Sequence, residues 1–363
     1  MIEIQDIFNA HIEEYFENHK LSLVQYKAVR AISDCRTAKL GGHIDICPSC
    51  GETGQSYNSC RNRHCPKCQT LSKEKWIDAR KADLLNVGYF HVVFTVPSEL
   101  NSIIYSNQKA CYNLLFRCVS ETLKELASDE KYLGAEIALT AVLHTWGQNL
   151  SFHPHIHCIV PAGGLTKNGF WVNSKAKFFL PVKVVSRKFR GKFLALLKEL
   201  NVDVSQDVLS DCYAKEWVVY CKPPFKTAAC VVEYLGRYTH RIAISNNRIL
   251  KLENGNVTFK WRDYKDCNKW KEMTLTASEF IRRFLMHVLP QRFMKIRHFG
   301  FLSSRGKQLK LPKCKAMTNT LIQNKRLSTE EILTKILGRK PNVCKSCGFH
   351  DIIRNGLAPP LTA

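Results

Sequence analysis

The stretch His153-Pro154-His155-Ile156-His157-Cys158-Ile159-Val160-Pro161-Ala162-Gly163-Gly164 decides how the middle of this chain is read. Its apolar, β-branched half is short and closes on Pro-Ala-Gly-Gly, which predicts a strand over about 155–161. Side chains alternate across a strand, so His155 and His157 share one face while Ile156 points into the core. Two imidazoles on one face make half of a divalent-metal site. A lone H-x-H is more often a pair of histidines satisfied by the backbone; here a neighbouring strand can complete the site. The third ligand stays open among Gln148, His153 and His91, with Gln148 the first choice.

Working outward, Tyr89-Phe90-His91-Val92-Val93-Phe94-Thr95-Val96, closed by Pro97, reads as a second buried strand, and about 137–146 as a third. Helical periodicity runs over 1–34, 71–85, 99–127, 181–200 and 226–238. Short strands are expected at 216–220, 241–245, 248–252, 257–262 and 271–275. Thr276 with Glu279, and Ser328 with Glu331 ahead of Gly338, have the spacing of capping boxes that open further helices. Antiparallel-looking strands mixed with helices make an α+β class. Three divisions are expected: a helical and zinc-binding module at 1–85, a core at 86–302, and a basic C-terminal region at 303–363.

A second element of chemistry is Glu233-Tyr234-Leu235-Gly236-Arg237-Tyr238-Thr239-His240-Arg241. On a helix, Tyr234 and Tyr238 lie on one face, with Arg241 about one turn on. A phenol with a pKa of about 10 is a poor nucleophile. A metal that polarises a scissile phosphate offsets that weakness. Taken alone the tyrosine pair is more often packing; beside H-x-H it is a constellation.

The segment 35–69 is rich in Cys, Gly, Asn and Arg and cannot fold by apolar burial alone. Its pairs Cys47-x-x-Cys50 and Cys65-x-x-Cys68, 14 residues apart, are expected to hold one zinc, and Cys35, His43, Cys60 and His64 form a second, interleaved set. Cys344-x-x-Cys347 is a further half site whose partners are not evident, with Cys314 and His350 as candidates. The chain has 363 residues, 16 cysteines and a formal net charge of +23, with 45% hydrophobic residues. That charge suits a polyanion. Arg61 and Arg63 beside the zinc, and Arg297 and Arg305 in a stretch interleaved with Phe284, Phe293, Phe299 and Phe301, are candidate DNA contacts. No run approaches the roughly 18 apolar residues of a membrane span, and no secretory leader is evident. A cytoplasmic, nucleoid-associated protein is expected, its cysteines serving metal rather than disulfides.

HPHIH followed by YLGRY resembles the HUH endonucleases with two tyrosines. The order CRTAKLGGHIDICPSCG, NSCRNRHCPKCQ, HVVFTVP, LHTWGQNLSFHPHIHCIVPAGG and EYLGRYTHRIAIS, from about Cys35 to Phe301, resembles the rolling-circle transposases of the IS91 family. The resemblance implies an HUH-type antiparallel sheet flanked by helices, with an N-terminal zinc-binding domain. It implies Mg²⁺ or Mn²⁺ on His155 and His157, structural Zn²⁺, and cleavage and rejoining of single-stranded DNA through 5′-phosphotyrosine on Tyr234 and Tyr238. The expected partners are single-stranded DNA at transposon ends and target. Without a nucleotide-binding G-x-x-x-x-G-K-[ST], strand separation is left to a host helicase or replication proteins. A replication initiator or relaxase would use the same residues, and a non-catalytic zinc-dependent nucleic-acid-binding protein would leave both motifs idle. Zinc removal is expected to unfold the N-terminal module and spare the nuclease fold.

Overall fold

A computed structural model describes residues 2–175, 179–222, 230–231, 236, 243–264, 266–321 and 326–360. The first 33 residues form two helices, α1 (Ile4–Asn18) and α2 (Leu23–Ser33), not one. The break has a local cause. The Ser22 hydroxyl accepts from the Gln25 amide, and the Gln25 side chain accepts from the Ser22 N–H, so Ser22 starts a new helix. Strands β1 (Gly42–Ile46) and β2 (Thr53–Tyr57) follow, then α3 (Gln69–Lys81).

Next come β3 (Tyr89–Thr95), α4 (Asn101–Ser106), α5 (Gln108–Ser128), β4 (Leu139–Trp146), β5 (Phe152–Pro161), the hairpin β6 (Gly163–Leu165) and β7 (Trp171–Asn173), α6 (Val182–Lys198), α7 (Gln206–Ala214) and β8 (Val219–Lys222). The meander β9 (Ile249–Glu253), β10 (Asn256–Asp263), β11 (Lys269–Thr276) leads into α8 (Ala277–Met286), whose first turn is capped by the Thr276 hydroxyl accepting from the Glu279 amide. The remainder is β12 (Ile296–Phe299), α9 (Ser304–Leu309), α10 (Leu311–Met317), α11 (Thr329–Leu337) and β13 (Ile353–Leu357). Ser328 and Glu331 complete a capping box on α11, and Gly338 ends it in the left-handed conformation. The strand expected at 241–245 is absent from its described part, 243–245, which is bend and coil.

The central sheet has the order β12-β4-β5-β3-β8, antiparallel throughout. Alternation gives it two different faces. Phe90, Val92 and Phe94, Ala141 and Leu143, and Ile156, Cys158 and Val160 pack against Leu115, Val119 and Leu123 of α5 and Phe189 and Phe193 of α6. Each such large side chain contributes about 1.5–3 kcal/mol by leaving water. The other face carries Tyr89, Val142 and Ile159, and is covered by Val231 and, from α3, Trp76.

A second core joins the chain's first helices to its later part. Ile4, Ile7, Phe8, Val29, Ile32, Cys35 and Cys65 pack with Phe259, Phe280, Ile281 and Phe284. In addition β13 pairs with β1, and α11 rides on α3 through Lys335–Glu74 at 2.9 Å and Leu327 N–H on Asp78 at 3.1 Å. Packing therefore crosses the divisions expected near residues 85 and 302.

Candidate active site

β5 lies between β3 and β4. The β4–β5 register sets His144 opposite His155 and Val142 opposite His157, so His144, His155 and His157 share the face away from α5 and α6. One ring nitrogen from each lies within 4.8 Å of the other two. His144 and His157 are buried and His155 is half-buried. Burial holds the His155 imidazole down to about 3 and His157 well below its usual range. Both rings are thus neutral at physiological pH, the form that ligates metals.

Hydrogen bonds orient them. His155 Nδ1 donates to the His153 carbonyl at 2.7 Å, which leaves Nε2 as the lone-pair nitrogen. His157 Nδ1 meets His91 Nε2 at 2.8 Å, the two rings being parallel within 2°. His91 is buried on β3 and held down to about 4 by that burial. Trp146 stacks on His144 at 4.6 Å. A ligand is held more firmly when its other nitrogen is bonded.

Each of the three candidates for the third member has another partner in the structure. Gln148 sits in the turn after β4 and donates from Nε2 to the Tyr264 hydroxyl at 2.9 Å. His153 supplies its carbonyl to His155, and His91 supplies its ring to His157. It is His144 that groups with His155 and His157, and the alternation in Leu143-His144-Thr145-Trp146 was the signal for its face.

Tyr234, Tyr238 and Arg241 lie outside the described residues. Cys230, Val231 and Gly236, described around the tyrosines, are helical. Val231 is fully buried against Tyr89, Val142 and Ile159, on the histidine face. Gly236 faces α3: a Cβ there would meet Ile77 Cδ1 at 2.3 Å and Cγ1 at 2.6 Å.

The cysteines regroup. Cys35, Cys60, Cys65 and Cys68 form one cluster, with Sγ separations of 3.4 Å for Cys35–Cys68 and 3.6 Å for Cys60–Cys68 and Cys35–Cys65. The side chain of Cys65 helps hold the Cys60 thiol down to about 5. Cys47 and Cys50 do not join Cys65 and Cys68. They meet Cys347 and Cys344 at 3.6 and 3.7 Å. The spacing of a C-x-x-C pair leaves its tertiary partner open. His64 is buried, and its Nε2 accepts from the Leu289 amide at 3.1 Å, which removes it from the ligand set. His43 faces Asp45 at 4.0 Å on the ribbon. Four thiols suit Zn²⁺: a tetrahedron with Zn–S of about 2.3 Å has S···S edges of about 3.8 Å.

Of the expected DNA contacts, Arg61 and Arg305 are exposed. Arg63 donates to the Phe293 carbonyl at 2.7 Å. Arg297 is bonded to Asn113 and stacks 4.3 Å over Phe116. Both are half-buried. Phe284, Phe293 and Phe301 are core residues, not exposed platforms for bases.

Residues 138–309 match a family described as "Putative transposase", and residues 7–96 match the "Transposase zinc-binding domain". "Putative transposase y4qJ" of Sinorhizobium fredii (strain NBRC 101917 / NGR234) is 47% identical over 86% of this chain and 83% of its own length. "Transposase for insertion sequence element IS801" of Pseudomonas savastanoi pv. phaseolicola is 27% identical over 80% and 73%. Among solved structures, the conjugative relaxase TrwC with oriT DNA covers 41% of this chain and 68% of its own at 10% identity, with a TM-score of 0.25. No described helix is long and apolar enough to cross a membrane.

Proposed function

This chain belongs to the IS91 family of transposases, and from that premise we propose that it cleaves and rejoins single-stranded DNA by nucleophilic attack of Tyr234 and Tyr238 on phosphodiesters gripped at the histidine face. The observation that carries this reading is the convergence of His144, His155 and His157 on the same face that Val231 covers. Val231, on that face, precedes Tyr234 by three residues in the sequence.

Three neutral imidazoles fit a divalent transition ion, while the phosphate and water would supply the oxygen donors that Mg²⁺ or Mn²⁺ prefer. Such an ion would stabilise charge developing on the non-bridging phosphate oxygens. The residues do the rest. His144, His155 and His157 present lone pairs, and His91 and the His153 carbonyl fix the tautomers. A tyrosine oxygen bonds to phosphorus as the P–O3′ bond breaks, and the departing 3′ oxygen takes up a proton. The 5′-phosphotyrosine conserves the bond for later attack by a 3′-hydroxyl. Arg241, three residues past Tyr238, is assigned to the phosphate charge.

Covalent capture tests this. Labelled single-stranded DNA carrying the element's ends is incubated with protein and Mn²⁺ and run on a denaturing gel. A DNA-linked band is expected, lost without metal and lost when Tyr234 and Tyr238 are both Phe. Tight binding with no band for any end sequence would sink the mechanism.

A further inference from the structure

We propose that Cys47, Cys50, Cys344 and Cys347 hold a second zinc ion, and that this ion fastens the C-terminal segment across the N-terminal module. Cys47 and Cys50 lie within the residues 7–96 that match the zinc-binding domain and Cys344 and Cys347 far outside them; the four sulfurs form a group separate from the Cys35, Cys60, Cys65 and Cys68 cluster.

The two halves are built alike. Cys47-Pro48-Ser49-Cys50-Gly51-Glu52 and Cys344-Lys345-Ser346-Cys347-Gly348-Phe349 make the same turn. In each the glycine has positive φ, +72° at Gly51 and +76° at Gly348, where a side chain is strained. In each the glycine N–H donates to the first cysteine's carbonyl, at 2.9 and 3.2 Å, and the first cysteine's N–H donates to the residue after the glycine, at 2.9 Å in both. Two such knuckles face one another with all four sulfurs within 4.8 Å. The cross-pair separations of 3.6 and 3.7 Å are far longer than a disulfide of about 2.05 Å and match the edge of a zinc tetrathiolate.

The surrounding sheet supplies the second argument. The ribbon β13-β1-β2 has no buried residue on β2 or β13. Cys47 and Cys344 are buried beside it, and Arg354 forms a two-pronged ion pair with Asp45 on its surface. Three short strands without an apolar core do not hold together in water. A metal centre supplies the missing folding energy in such modules. Downstream of the first knuckle's partner strand lies α3, and α11 rests on it through Glu74 and Asp78. The ion thus closes a strap over the helix whose Trp76 covers the histidine face.

The test is a metal count with a structural readout on the full chain. Wild-type protein is expected to carry two zinc ions, one for each four-cysteine group. C344S/C347S and, independently, C47S/C50S are each expected to carry one. In both variants amide exchange should rise across 329–357 while α5 and β5 stay protected, showing that the fold survives. If a variant fails to fold, Co²⁺ titrated into the metal-free wild type decides: thiolate-to-cobalt absorption saturates at two equivalents if the proposal holds, and at one if it fails. Retention of both zinc ions by C344S/C347S, or loss of one with unchanged exchange over 329–357, would also overturn it.

Discussion

A single imidazole on β4 changes what the motif on β5 can do. Two histidines on one strand leave an ion open to solvent on most sides; His144 adds a donor from the neighbouring strand and joins three buried or half-buried rings. His155 and His157 were legible because strand alternation is local. For His144 alternation gave only the face; its place beside His155 is set by the β4–β5 register, which the sequence does not give. The zinc ligands split the same way. Each C-x-x-C pair is plain in sequence, but its partner is set by tertiary structure. Burial also makes the site acid-sensitive. His155 is held to about 3 and His91 to about 4, against about 6.5 in an unfolded chain. Below that value the unfolded chain takes up protons that the folded one refuses, so stability falls as pH drops from about 6.5 towards about 4. The metal-free protein should melt lower at about pH 5 than at about pH 7.5, and H155Q should lessen the difference. A melting temperature unchanged between the two would contradict the burial argument.

Among elements, α3 is placed to matter most. Trp76 reaches the histidine face, Ile77 meets Gly236, and Glu74 and Asp78 hold the α11 segment. The helix was foreseen at 71–85, but none of these contacts was, since they join residues far apart in the chain. Gly236 has no room for a methyl group beside Ile77. G236A should cost about 1–3 kcal/mol by overpacking, and I77V, which removes the methyl carbon closest to it, should recover part of that. A double-mutant cycle by denaturant melts should show G236A costing less in the I77V background. Strict additivity would mean that the two do not touch.

At the scale of the whole molecule the cores do not follow the sequence divisions. The α+β class was readable from strand runs between amphipathic helices. The partnership of α1 and α2 with β10 and α8 was not, because an apolar helical face does not name its partner. Cys35 and Cys65 sit inside that shared core. Zinc removal should therefore reach beyond the N-terminal module. We expect chelator to raise amide exchange in α1, α2, β10 and α8 together, while α5, β4 and β5 keep their protection through their own core. Loss confined to residues before 85 would show that the cores are independent.

The pairing of β13 with β1 also has a meaning in time. From Ile46 to Ile353 a ribosome adds 307 residues (353 − 46), which takes on the order of 15–60 s at about 5–20 residues per second. Throughout that interval the nascent ribbon has an open edge on β1, and Cys47 and Cys50 wait without their partners. Closure of the ribbon thus follows translation past residue 353, and a gene copy that has lost its 3′ end encodes a protein unable to close it.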